Sequence, residues 1–381
     1  MATARRARDR VREAFMLFIN NDVVRQVLDM PACITAQEEA FARLITGESV
    51  FRPRIDMYVP CDRPDGYYRW GDVVGTSHGV LAVRLKSDIV VWPEAEDGTR
   101  SEKKFCMEPG TYCGLVFLFS TGSGEPLALM NDGYLQQMRV GGAAGIGARL
   151  LSRPDSHTVG VIGSGGMART FLRAICAVRD ITAARVFSPN AHHRESYAAE
   201  MSDLLGIEVV AVDTAREAVR GVDIIATATD SLTPVIQTDW LEPGQHVSTL
   251  GLREIAPETV MRFDVVVQQG REGLDLPESR IYQRDVPGSM GAYVAGTEEE
   301  QKRIPRGAAH QKVEREIPVY TDVISGKAGG RQNRDQITQY HTFGNWGVQF
   351  PAVGAHVFRR AKELGLGHDL PTEWFLQDIR N

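Results

Sequence analysis

The sequence predicts an α/β protein in which a doubly wound parallel sheet is joined to a mixed, mainly antiparallel α+β region. Three observations carry that prediction. From residue 157 onward, short apolar runs alternate with helix-compatible runs, the pattern of a parallel sheet covered by helices on both faces. Before residue 132, short strands alternate apolar and polar side chains, the pattern of a half-buried sheet. Between the two regions, at 157–172, an apolar run meets a glycine turn and then a helix. A chain of 381 residues is long enough for two such regions sharing a large core.

In chain order, residues 4–29 read as helical up to a break at Pro31. Thr35 and Glu38 form a capping box for a helix through Leu44 that stops before Gly47. Alternation over 50–59 sets Phe51, Ile55, Met57 and Val59 against Arg52, Arg54 and Asp56. A second alternating strand after Gly79 sets Leu81, Val83 and Leu85 against Arg84, Lys86 and Asp88. Its charged side is either a solvated edge or the wall of a site, since same-face neighbours about 7 Å apart can share one small ligand. Apolar strands at 113–120 and 127–130 flank a hairpin turn at 121–124. Residues 134–152 read as a linking helix whose Gly141, Gly142, Gly145 and Gly147 predict close packing against other backbone or a cofactor. Arg139, among these small residues, is a linker charge or an anion ligand.

Gly163, Gly165 and Ala168 fit the dinucleotide fingerprint G-x-G-x-x-[GA]. The first glycine allows the turn, the second lets backbone approach a pyrophosphate, and the small third residue lets helix pack on strand. Ser164, Gly166 and Met167 complete the turn and the helix start, whose unpaired N–H groups face the phosphates. Further strands are expected at 184–187, 207–212, 222–228, 246–250 and 263–268. Ligands bind beyond the carboxyl ends of such strands, which puts Thr227, Thr229, Ser231 and Gly251 along the cofactor cleft. The second strand ends at Ser188 and Asn190 with Arg194 nearby, and no acid is present to hold an adenosine ribose. That absence favours NADP, with NAD as the alternative, because a 2′-phosphate can hydrogen-bond to these residues. Residues 271–330 read as a long irregular excursion with a solvated charge run at 298–303, and 355–364 as a helix.

Hydrophobic content of 43%, charged content of 24% and a formal charge of −6 describe an ordinary globular protein with no nucleic-acid partner. No apolar run reaches membrane length, and the arginine-rich start at 5–12 reads as a solvated helix face. The five cysteines match neither a disulfide framework nor a zinc site. No metal is expected, and free thiols fit a cytoplasmic protein.

With these residues placed, the chain resembles the ornithine cyclodeaminase/mu-crystallin family. The resemblance runs through 50–54, the strand at 81–86, 124–129, Arg139 before the small-residue helix, the fingerprint at 163–168, and 227–231 with Pro234. It continues at 329–331, 336–338 and 343–344. It implies a Rossmann-type NAD(P)-binding domain at 137–324, inserted into a substrate-binding and dimerisation domain made of 1–136 and 325–381, and a homodimer. It also implies that Arg54 and Arg139 hold the carboxylate of a small amino, imino or keto acid. The family's catalytic lysine aligns with Arg84, and Lys86 on the same face stands in for it. The acid that cyclodeaminases carry after the fifth strand aligns near Arg253 and Glu254, and a second acid aligns with Gln349. The expected function is therefore an NAD(P)-dependent oxidoreductase at a C–N bond, a ketimine reductase or amino-acid dehydrogenase. A cyclodeaminase that recycles its cofactor and a non-catalytic NADPH-binding protein are the alternatives. Lys86 is the expected acid/base, because an arginine cannot shuttle a proton near neutrality.

Overall fold

The computed structural model describes residues 14–377 other than 97, 252, 272–275, 287–288 and 306–314, and the described strands form two sheets. The arginine-rich start at 5–12 lies outside the described residues. Strand β1 (Phe15–Ile19) pairs with the last strand of the chain and with β8, so this part of the expected 4–29 helix is extended. Helices α1 (Asn21–Val27) and α2 (Met30–Thr46) follow, capped by the Asn20 amide oxygen and an Asp29 carboxylate oxygen, which accept from the Val23 and Ala32 N–H groups. Pro31 therefore opens α2 instead of ending a helix, since the first turn needs no N–H from it. Thr35 and Glu38 lie inside α2, so the expected capping box is not its start. Gly47 does end it, in the left-handed conformation.

Strands β2 (Val50–Pro60), β3 (Gly66–Ser77) and β4 (Val80–Val91) form an antiparallel meander, extended by the short β5 (Lys103–Cys106) and β6 (Glu108–Pro109). β7 (Cys113–Ser120) and β8 (Pro126–Asn131) continue it, and helix α3 (Gly133–Leu151) leads away. The glycines of α3 are packing sites against protein. Side chains there would strike Thr170, Gln37 and Tyr340.

The parallel half follows as β9 (Thr158–Ile162), α4 (Gly166–Cys176), β10 (Ala183–Phe187), α5 (Ala191–Leu205), β11 (Glu208–Ala211) and α6 (Ala215–Val219). Then come β12 (Ile224–Thr227), β13 (His246–Thr249), α7 (Pro257–Val260) and β14 (Val265–Gln268). The chain ends through β15 (Tyr282–Val286), β16 (Ser289–Val294), α8 (Glu298–Gln301), α9 (Tyr320–Ile324), β17 (Thr338–His341), α10 (Trp346–Glu363) and β18 (His368–Pro371).

One sheet has seven strands in the order β11-β10-β9-β12-β13-β17-β14, all parallel. Apolar clusters lie on both of its faces, as a doubly wound sheet requires. The other is mixed, running β15-β16-β2-β3-β4-β7-β8-β1-β18 with β5 and β6 beside β4. Helix α10 lies on one face of this second sheet, and α1, α2 and α3 pack around it to enclose the largest apolar cluster.

The strands do not divide at the expected domain boundaries. β15 and β16, from the excursion assigned to the cofactor half, add to the mixed sheet, with Ala292 opposite Asp56 on β2. β17, assigned to the substrate half, enters the parallel sheet between β13 and β14, with Tyr340 opposite Ser248 and Val267. A four-residue strand buried between two neighbours shows no alternation, and glycine-rich flanks hide it further.

Candidate active site

Register across the mixed sheet brings Asp56, Gly71, Lys86 and Gly114 into one row on β2, β3, β4 and β7. Adjacent strands lie about 4.8 Å apart, so Lys86 stands in a trough with a glycine on either side. A Cβ at Gly71 would strike Asp56 Oδ1 and come within 3.0 Å of Lys86 Cε; one at Gly114 would come within 2.7 Å of Asp132 Oδ2. The charged face of β4 is thus the inward one. Arg84, Lys86 and Asp88 are buried, while Leu81, Val83 and Leu85 are half-buried on the opposite face. The same inversion holds on β2, where Asp56 is fully buried and Met57 and Val59 are exposed. The solvated-edge reading of the charged side is overturned.

Each neighbouring cation has a defined partner. Arg84 donates to Asp132 Oδ2 through Nε (2.8 Å) and Nη2 (2.5 Å), and also to Tyr112. Asp132 precedes α3 but does not cap it, because its carboxylate is turned to Arg84. Arg54 is bidentate on Asp56 (2.8 and 2.6 Å) and lies over the Trp346 ring. Arg69 is bidentate on Asp88 (2.9 and 2.8 Å) and donates to Glu102 (3.0 Å). Arg139 donates only to neutral oxygens, those of Gln136 (3.2 and 2.8 Å) and Gln349 (3.0 Å), and lies over Phe350. Arg54, Arg69, Arg84, Lys86 and Arg139 thus face the carboxylates of Asp56, Asp88, Glu102 and Asp132, with Lys104 also beside Glu102.

Lys86 makes no hydrogen bond or ion pair with any described residue. Burial, then Arg54 and Arg69, hold its pKa well below the ordinary lysine value. Arg84 moves the other way. Burial works against its charge, but Asp132 together with Tyr112 and Asp56 outweighs that and fixes the guanidinium ionised. Of the two candidates for acid/base work, Lys86 is the one whose charge can change.

The structure brings Arg54, Arg84, Lys86 and Arg139 together, though Arg54 and Arg84 are already paired with carboxylates. Asp132, Tyr112, Asp56, Arg69 and Glu102 were not identified as part of the site. Asp132 reads as an ordinary helix start, and nothing local shows that Arg84, 48 residues away, takes it. Gln349, expected where an acid would be, does face Arg139, and it joins Gln37 through its amide nitrogen at 2.5 Å.

On the parallel side, Gly163 has φ +110° and a Cβ there would clash with the Ala228 carbonyl, so only glycine fits this turn. Gly165 faces open space within 4 Å, and α4 begins there with no side-chain cap. The first N–H groups of α4 are therefore open to a pyrophosphate, and the residues fit a dinucleotide. Ser164 is committed on its carbonyl side to Arg169, Met167 packs partly into the core, and Ala168 is buried against Tyr197. Gly166 adjoins Gln137.

Several expected cofactor contacts are used internally. Glu254 accepts from the hydroxyls of Thr227 (2.9 Å) and Thr229 (2.8 Å) and from the N–H groups of Thr229, Leu250 and Gly251 (2.7, 3.0 and 2.6 Å). Thr227 is wholly buried, so its side chain is a fastening between β12 and the loop after β13, not a cofactor contact. Ser231 donates to the Thr233 carbonyl. Glu254 itself is buried, and both of its carboxylate oxygens are taken up by these donors. Asn190 caps α5, while Arg194 holds the Ser188 carbonyl at the end of β10 (3.2 Å) and the exposed Asp213 after β11 (2.5 Å).

A dinucleotide cradle on the parallel sheet and a buried row of arginines and a lysine on the mixed sheet define an α/β nicotinamide-dependent enzyme. The sequence profile of the ornithine cyclodeaminase/mu-crystallin family matches residues 101–361, and the chain belongs to that family. A Rhizobium meliloti protein named only provisionally as a dehydrogenase is 33% identical over 267 residues, 67% of this chain and 72% of that one. A Bacillus cereus Delta(1)-pyrroline-2-carboxylate reductase is 29% identical over 265 residues, 68% of this chain and 74% of its own. Among solved structures, the Thermococcus litoralis Delta(1)-pyrroline-2-carboxylate reductase in complex with NADH and L-proline superposes with a TM-score of 0.70. It is 25% identical and covers 93% of this chain and 100% of its own.

Proposed function

We propose that this chain is an NAD(P)-dependent oxidoreductase that reduces the C=N bond of a small imino acid, or runs the reverse oxidation of the amino acid. The observation that carries this reading is Lys86: a buried amine with no hydrogen bond or ion pair among the described residues, in a trough cleared by Gly71 and Gly114. The bound nicotinamide supplies or accepts the hydride. Arg139, whose charge no carboxylate balances, takes the substrate carboxylate by charge-assisted hydrogen bonds, and Arg54 flanks it. Lys86 gives a proton to the substrate nitrogen as the C=N bond is reduced and takes it back in the other direction.

The cyclodeaminase alternative draws less support, because the acid after the fifth strand is consumed in backbone hydrogen bonds as Glu254. The cofactor is NADP on this reading. A 2′-phosphate would take Arg194 from the exposed Asp213, and Ser188→Asp should reverse a tighter binding of NADPH than NADH, read by calorimetry. The chain is taken as a cytoplasmic homodimer, with the half-buried Leu81, Val83 and Leu85 and the exposed Met57 and Val59 meeting a second copy.

The test is a cofactor-oxidation screen with NADPH and NADH against Delta(1)-pyrroline-2-carboxylate, and against keto acids with ammonia or methylamine. Lys86→Met should lower turnover by roughly 10² or more and remove the limb on which rate falls as pH rises. Normal turnover in that variant, or ammonia release from ornithine without net cofactor oxidation, overturns the reading.

A further inference from the structure

After Val91 the chain leaves the mixed sheet, crosses to the parallel half and returns as β5. At the crossing it makes a short antiparallel bridge with the loop after β12. The Leu232 N–H donates to the Arg100 carbonyl (2.8 Å), the Glu102 N–H donates to the Asp230 carbonyl (3.2 Å), and Ser101 stands opposite Ser231. Lys103 Nζ meets Asp230 Oδ2 at 2.5 Å beside the bridge, on the surface. This strap joins the two halves of the molecule next to the strand end where the cofactor cleft lies.

Glu102 is held at both ends. Its backbone is fixed to the cofactor-side loop, and its carboxylate turns back under the mixed sheet to accept from Arg69 Nη1 at 3.0 Å, with Lys104 Nζ at 3.7 Å. The second carboxylate oxygen is buried without a hydrogen-bond donor. The remaining face of Arg69 is bidentate on Asp88, which is two residues from Lys86 on the same side of β4.

We propose that Glu102 is a positioning residue that ties the protonation of Lys86 to the seating of the cofactor-side loop at 229–232, acting through Arg69 and Asp88. The inference rests on the reading of Lys86 as the proton donor. The other charges about Lys86 are Arg54 and Asp56 from β2 and Arg84 on its own strand, with Lys104 of β5 beside Glu102. Asp132 and Arg139 lie beyond Arg84, and Tyr112 comes from the turn before β7; from α10, Trp346 packs on Arg54, Phe350 on Arg84 and Arg139, and Gln349 on Arg139, and none of the three carries charge. With the strap seated, Arg69, Asp88 and Glu102 together carry one net negative charge, offset only in part by the more exposed Lys104, and this favours the ammonium form of Lys86. Removing the Glu102 charge leaves Arg69 balanced by Asp88 alone, and burial and Arg54 then drive the proton off at lower pH.

The test reads Lys86 without substrate, by 13C-methyl labelling of the lysines and an NMR titration in which Lys86→Met assigns the signal. In Glu102→Gln the midpoint should fall by at least about half a pH unit, the scale of one charge removed from a partly screened neighbourhood. Lys103→Ala, which loosens only the surface anchor of the strap, should move it the same way by less. A merely structural Glu102 would lower the melting temperature and leave the midpoint in place. If Glu102→Gln does not fold, Lys103→Ala carries the test. An unmoved midpoint in the folded variant overturns the coupling, while turnover of Lys86→Met judges the proton-donor role separately.

Discussion

Strands β9 and β4 are both buried, yet by opposite rules. In β9, Val159, Val161 and Ile162 are apolar on both sides and each is covered by helices of the same chain. In β4 the buried side is the charged one, and the apolar side is left half-open. Polarity therefore signals burial in the parallel half and misleads in the mixed half. The difference is one of compensation. Burying an ion costs several kcal/mol unless a partner restores its solvation, and the mixed half brings Asp56, Asp88, Glu102 and Asp132 to its arginines from four separate places. A buried titratable group in the parallel half, His246, is treated differently: it is kept neutral between the Thr338 and Ser248 hydroxyls.

The comparison can be broken first at Asp132. Asp132→Asn leaves Arg84 buried without its counter-ion and should cost on the order of 3 kcal/mol or more in denaturant unfolding. A loss below about 1 kcal/mol would mean that charge pairing is not what holds the β4 face inward.

A second break falls on Arg139, whose partners are neutral. Arg139→Leu should lower kcat/KM by the equivalent of about 1.5–3 kcal/mol, the worth of a charged hydrogen bond. Cofactor dissociation constants should stay put. A shift in cofactor affinity with kcat/KM unchanged would move the carboxylate site elsewhere.

His246 sharpens the contrast from the other half. Burial, then Arg331, holds its pKa down from 6.5 to about 3. The unfolded chain takes up the proton near pH 6.5 and the folded one does not, so this contribution is complete above pH 6.5 and is lost as pH falls toward 3. The expected slope is about 1.4 kcal/mol per pH unit across that window. A His246→Gln variant should lose that part of the acid sensitivity in melting curves taken from pH 7 to 4; equal acid sensitivity in both proteins would show that His246 is not held neutral.

What the sequence determined by itself is what depends on neighbours along the chain. The fingerprint at Gly163, Gly165 and Ala168 is local, because a turn and a helix start are built from consecutive residues, and the parallel strands were legible because helices cover both their faces. The alternation of β4 likewise put Arg84, Lys86 and Asp88 on one side. Which side faces inward was decided only by tertiary structure. That choice depends on carboxylates far away in sequence, on Gly71 and Gly114 arriving in register beside Lys86, and on α10 closing over the row. The same holds for β17, which gains its place only because β13 and β14 leave a gap between them. Glu254 stands, with Arg253, near the position where cyclodeaminases carry an acid. The fold turned it to five hydrogen-bond donors at the ends of β12 and β13, where buried N–H groups must be satisfied.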